Sequence, residues 1–179
     1  MRVKICGITR LEDALLAEAL GAFALGFALG PGPRRRIAPE AARAIGEALG
    51  PFVVRVGVFR NQPPEAVLRL MEEARLQVAQ LHGEEPPEWA DYPAQALLLD
   101  GKRPGSGEAY PRAWAKPLLA TGRRVILAGG IAPENLEEVL ALRPYALDLA
   151  SGVEEAPGVK SAEKLRALFA RLASLRMEG

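Results

Sequence analysis

Apolar runs alternate with amphipathic stretches along almost the whole chain. The runs VKICGI (3–8), FALGFAL (23–29), FVVRVGVF (52–59), VAQLH (78–82), ALLLD (96–100), RVILAGGI (124–131) and ALDLASGV (146–153) are nearly continuous in hydrophobic character. Between and after them lie LEDALLAEALG, PEAARAIGEALG, PPEAVLRLMEEAR, a segment around 111–121, PENLEEVLALR and SAEKLRALFARLASL, which carry apolar residues at helical spacing. Strands that are apolar on both faces belong to a parallel sheet, because each crossover lays a helix over the sheet. Pro39, Pro63 and Pro133 stand where helices should open, a position that needs no backbone N–H, and Gly21 and Gly50 stand where two should close.

This pattern predicts an α/β protein. No GxGxxG follows the first strand, which favours a (β/α) TIM-type barrel over a doubly wound dinucleotide fold. Such barrels carry eight strands in roughly 250 residues. Here 179 residues show seven strands, and one barrel domain over 1–179 is expected. The deficit falls in QLHGEEPPEWADYPAQALLLD. Its link, 83–95, contains Pro86, Pro87 and Pro93 and cannot hold the usual helix. Extended, the link reaches about 40 Å, against a strand length of roughly 17 Å that it must return. The connection is therefore possible, but the strand is not. Either 78–82 pairs directly with 96–100 in a tighter ring, or a slot remains with two open edges.

Composition narrows the function. A net charge of +1 gives no general attraction to nucleic acid or an acidic membrane, and no apolar run nears the roughly 20 residues of a membrane span. MRVKICGITR lacks a signal-peptide layout, so a cytoplasmic protein is expected. One cysteine excludes an internal disulfide, and a single histidine argues against a Cys/His zinc site.

In a barrel the chemistry belongs at the C-terminal ends of the strands. Cys6 lies near the end of the first strand and shares a face with Lys4, whose cation would lower the thiol pKa and make it a usable base; the plainer reading is a small buried hydrophobe. Asp100 ends the wholly apolar LLLD, where apolar neighbours would raise its pKa and suit it to general-acid work; otherwise it caps a loop. Gly129-Gly130 and Ser151-Gly152 follow the last two strands, where backbone amides recur as phosphate sites; alone they are tight turns. Arg34-Arg35-Arg36 is either a solvated face or a clamp for a substrate carboxylate. His82 reads as a hydrogen-bonded structural residue, and Asp148 as an orienting group aimed at Lys4.

KICGIT (4–9), RVGVF (55–59), QLHG (80–83), LLLD (97–100), GSG (105–107), LAGGIAPEN (127–135) and DLASGVE (148–154) occur in that order and together closely resemble the phosphoribosylanthranilate isomerase family of the tryptophan pathway. The resemblance implies a (β/α)8 barrel performing a cofactor-free Amadori rearrangement of N-(5-phosphoribosyl)anthranilate. It implies Asp100 as the acid that opens the ribose ring, Cys6 as the base at C2, and Arg35 for the anthranilate carboxylate. The phosphate would rest on Gly129, Gly130, Ser151 and Gly152, with Gly105, Ser106 and Gly107 closing over a small phosphorylated substrate. Lys4, His82 and Asp148 would support the site, no metal is expected, and a homodimer is plausible. Two departures stand out. Pro33 replaces the family's usual serine, and about two dozen residues carrying the fifth strand are missing before LLLD. The alternative is a folded but catalytically impaired phosphate-binding barrel of the same family. A histidine-pathway type of isomerase fits less well, because that chemistry needs an aspartate where Cys6 stands.

Overall fold

The computed structural model describes residues 1–32, 34–83, 95–100, 115–120 and 122–177. Its strands β1 (Arg2–Cys6), β2 (Ala24–Ala28), β3 (Val54–Phe59), β4 (Val78–Leu81), β5 (Leu97–Leu99), β6 (Val125–Leu127) and β7 (Ala146–Leu149) match the seven apolar runs, β1 starting one residue earlier at Arg2. They lie parallel in one curled sheet ordered β4-β3-β2-β1-β7-β6-β5. The fold is of the (β/α) barrel type, left open between β4 and β5 among the described residues. Of the two arrangements the sequence allows, the described residues show the open sheet.

Helices α1 (Leu11–Ala19), α2 (Pro39–Ala48), α3 (Pro64–Glu73), α4 (Ala115–Leu119), α5 (Leu136–Leu140) and α6 (Ala162–Met177) follow the strands. Proline opens α2 and α3 in their first turn, with Pro63 itself standing just outside α3 as its cap. The helix expected over PENLEEVLALR is shorter than its pattern. Pro133–Asn135 forms a 3₁₀ turn first, because the Asn135 side chain accepts from the Ala132 N–H at 3.1 Å and donates to the Gly130 carbonyl at 2.6 Å. Those two bonds tie the helix start to the end of the preceding strand.

Alternation along the strands divides the sheet into two chemistries. Val3, Ile5, Leu25, Phe27, Leu147 and Leu149 pack with Leu165 and Leu168 of α6 in one apolar core. Lys4 and Cys6 take the other face of β1. The parallel register sets Lys4 opposite Asp148 and Cys6 opposite Gly26. One element is absent from the hydrophobic pattern: an antiparallel hairpin of β8 (Glu154–Ala156) and β9 (Val159–Lys160). Pro157-Gly158 turns it, with Gly158 at φ +85°, a conformation that glycine adopts without strain. The hairpin docks on α1, where the Lys160 N–H donates to the buried Asp13 carboxylate at 3.0 Å and Arg10 pairs with the same carboxylate at 2.7 Å.

Candidate active site

The ends of the strands surround a cavity of about 410 Å³. Cys6, Arg35, His82, Asp100, the Gly129-Gly130 turn and Ser151 all reach its wall. These residues come from six different strand ends or the loops just beyond them, and only the curl of the sheet brings them together. Gly152 lies outside the lining. A Cβ there would overlap the Ile131 carbonyl oxygen, so its lack of a side chain lets the turns after β6 and β7 touch. Gly129 and Gly130 hold φ at +78° and +61°, which directs that turn in a way a side chain would oppose. Gly105, Ser106 and Gly107, like Pro33, lie outside the described residues.

Beneath the cavity, the Lys4 ammonium meets both Asp148 oxygens at 2.9 Å, and both side chains are buried. Burial alone would lower the Lys4 pKa; the Asp148 carboxylate outweighs it, with help from Cys6, and holds Lys4 above its ordinary value. Removing either partner of such a buried pair strands the other. Small residues make room for it. A Cβ on Gly26 would come within 2.9 Å of the Cys6 sulfur and 3.0 Å of the Lys4 ammonium.

Cys6 corrects one expectation. Lys4 does favour the thiolate, but burial outweighs it and the nearby Asp148 adds to burial, so the thiol pKa is pushed up rather than down. The reason is dielectric: removing an anion from water costs more than one cation already engaged with a carboxylate returns. Asp100 sits across the cavity with His82 Nε2 at 3.7 Å from its Oδ2. His82 also anchors its own backbone, donating its N–H to the Phe59 carbonyl at 2.9 Å. Thus the ends of β4 and β5 approach each other at the mouth although the two strands do not pair.

Arg35 is held from below. Its Nη2 donates to Glu154 Oε2 at 2.7 Å and its Nε to Oε1 at 2.9 Å, and the Glu154 hydrogen bond raises its pKa. Glu154 also accepts from Lys160 Nζ at 2.8 Å. Burial pushes Glu154 upward, but the two cations win and its pKa is lowered. Lys160 is itself buried, which lowers its pKa against the pull of Glu154, and it donates to the Cys6 carbonyl at 2.6 Å. The sequence reading named none of Glu154, Lys160, Asn135 or Gly26 as site residues. The signal for the first two was there: charged residues inside GVEEAPGVK, next to a strand end that already carried a candidate turn. Among the described residues no group of three or more His, Cys, Asp or Glu is placed to hold a metal ion.

The model of the N-(5'-phosphoribosyl)anthranilate (PRA) isomerase family matches residues 3–95 and again 91–171. The chain belongs to this isomerase family. A relative from Trichlorobacter lovleyi named N-(5'-phosphoribosyl)anthranilate isomerase is 40% identical over 194 positions, covering 93% of this chain and 95% of that protein. A crystal structure of phosphoribosyl anthranilate isomerase from Thermus thermophilus superposes with a TM-score of 0.96 at 86% identity, covering 98% of this chain and 100% of that one. A third match, at TM-score 0.85 and 36% identity over 97% of this chain and 99% of the other, is a phosphoribosyl anthranilate isomerase in complex with reduced 1-(o-carboxyphenylamino)-1-deoxyribulose 5-phosphate. The chain is thus an isomerase of the tryptophan pathway, with the family's barrel fold. The alignment of 194 positions exceeds the 179 residues of the chain, so that relative carries residues this chain lacks. The two matched segments meet at 91–95, inside the short link.

Proposed function

We propose that Asp100 and Cys6 carry the isomerisation as acid and base across this cavity. Asp100 protonates the ribose ring oxygen, the C1–O bond breaks, and the anthranilate nitrogen lone pair forms the protonated Schiff base. The Cys6 thiolate takes the proton from C2, and the resulting enolamine tautomerises to the 1-amino-1-deoxy-2-ketose. The redox change is internal to the sugar, one carbon being oxidised as its neighbour is reduced, so the chemistry asks only for proton transfer. Arg35 receives the anthranilate carboxylate. Gly129, Gly130, Ser151 and Gly152 receive the phosphate. Lys4 and Asp148 support Cys6, and His82 supports Asp100.

The observation that carries this reading is the arrival of Cys6 and Asp100 at one cavity from the centre and the edge of the sheet, with Arg35 in the same lining. The relatives' shared name and the bound product analogue in one of them support turnover over an impaired, merely phosphate-binding barrel. In this reading the protein works in the cytoplasm and pairs with a second copy of itself. A solved structure at TM-score 0.85 and 34% identity is of monomers generated from the dimeric enzyme of Thermotoga maritima. No described helix is long and apolar enough to cross a membrane. The test is the loss of substrate fluorescence on turnover. Cys6→Ser and Asp100→Asn should each slow it by about 10²–10⁴-fold, the usual contribution of a positioned acid or base. Normal rates in both variants would remove the assignment.

A further inference from the structure

We infer that Glu154 is the residue that makes the site selective for a substrate bearing an aromatic carboxylate, by positioning Arg35. This rests on the reading of Arg35 given above and extends it to a residue that touches no substrate. A guanidinium has two hydrogen-bonding edges. Glu154 occupies the Nε–Nη2 edge with 2.9 and 2.7 Å bonds, and among the described residues no partner is recorded for Nη1. The remaining end-on edge of Nη1 and Nη2 can fork a second planar carboxylate, as the Nε–Nη2 edge forks Glu154. An arginine held by one edge presents the other in a single orientation. Unheld, its long side chain would lose several rotamers' worth of freedom on each binding event.

Charge leads to the same conclusion. A lone carboxylate against Arg35 would cancel its attraction for an anionic ligand. Here Lys160 shares that carboxylate at 2.8 Å, so the cluster of Arg35, Glu154 and Lys160 keeps a net positive charge. Its members are well sequestered: side-chain exposure is 15% for Arg35, 5% for Glu154 and 0% for Lys160. The Gly158 N–H donates to Glu154 Oε1 at 3.2 Å and Lys164 Nζ to the Glu154 carbonyl at 2.8 Å, which fixes the carboxylate and its backbone together. Gly7 completes the seat, since a Cβ there would collide with the methylenes of Arg35. The hairpin of β8 and β9 thus acts as a bracket. It holds the carboxylate clamp and, through Lys160 on the Cys6 carbonyl, the end of β1.

The test compares wild type, Glu154→Gln, Arg35→Ala and the double variant. Turnover of the anthranilate-derived substrate gives kcat and KM. Calorimetry gives Kd for the reduced product analogue and for the same analogue without its ring carboxylate. Glu154→Gln should raise KM and the Kd of the carboxylate analogue by about 10-fold, leave kcat within about 3-fold, and leave the carboxylate-free analogue unaffected, the pattern of lost ground-state binding. The double variant should bind no worse than Arg35→Ala alone, because a residue acting through Arg35 has nothing left to act on. Equal weakening of both analogues by Glu154→Gln, or full additivity with Arg35→Ala, would overturn the inference. If Arg35→Ala destroys the discrimination and Glu154→Gln does not, Glu154 alone is misassigned. If Arg35→Ala leaves discrimination intact, the Arg35 reading fails and this inference falls with it. Should Glu154→Gln fold poorly, Glu154→Asp, which keeps the charge and withdraws it by one methylene, reads the same loss of discrimination.

Discussion

Strands β1 and β7 in the middle of the sheet and β4 and β5 at its edges are written in the same apolar vocabulary. Their surroundings differ. Ile5 and Leu147 are completely buried, whereas Val78 of β4 is 45% exposed and Leu81 39%. β1 has a strand on either side and α6 behind it; β4 pairs only with β3 and β5 only with β6 among the described residues. Burial is therefore conferred by neighbours, and a sequence fit for a barrel interior is left partly wet where a neighbour is lacking. The proposed acid and base divide along this line. Cys6 ends a central strand over the Lys4–Asp148 pair, while Asp100 ends an edge strand that has a single strand partner.

That contrast can be broken outright by supplying the missing neighbour. Inserting a relative's strand–helix unit between Gly83 and Gln95 should bury Val78 and Leu81. At about 1.5–3 kcal/mol for burying a fully exposed side chain, covering the 45% and 39% still exposed should gain roughly 1–3 kcal/mol. Denaturant unfolding would register it as a higher midpoint with a larger slope. An unchanged midpoint would mean that the edges are already covered.

The central side of the contrast depends on its buried ion pair. Lys4→Met leaves the buried Asp148 carboxyl without its ion-pair partner and should cost about 3–5 kcal/mol. It also bears on pH. The Cys6 pKa is raised, so thiolate is scarce at neutral pH and kcat/KM should climb as pH rises through the ordinary thiol range of about 8.5 and beyond. Lys4 opposes that rise in pKa, so Lys4→Met should move the climbing limb to still higher pH. A limb that stays in place would detach Cys6 from the rate.

A paired truncation sharpens the comparison more gently. Ile5→Ala should cost about 2–5 kcal/mol, whereas Leu81→Ala should cost under about 1 kcal/mol, because the edge residue is already partly hydrated. Equal losses would show that the two regions are packed alike. Between these two, Gly26→Ala should cost about 1–3 kcal/mol by crowding the Cys6 sulfur and the Lys4 ammonium, and kcat should fall with it.

Much of this was legible in the chain. Seven apolar runs became seven parallel strands, and the side-chain alternation of VKICGI did put Lys4 and Cys6 on one face. The proline-broken link did fall between β4 and β5, the two edges of the sheet among the described residues. The motifs from KICGIT to DLASGVE led to the family that the comparisons show. The hairpin of β8 and β9 escaped because its strands are two and three residues long and mostly polar, too short for a period-2 signal to emerge. With it went Glu154 and Lys160. The Cys6 pKa was misjudged for a related reason: a neighbouring cation can be read along one strand, but burial depends on what other strands place above and beside the thiol.

Local patterning thus determined the strand count and the covered face of the sheet, since each depends on residues close in sequence. Which residues meet was a tertiary decision. Lys4 finds Asp148, and Arg35 finds Glu154, across separations of 144 and 119 residues. Strand order and curl set those distances, because a charge is stabilised or penalised by whatever stands within a few ångströms, wherever along the chain it originates.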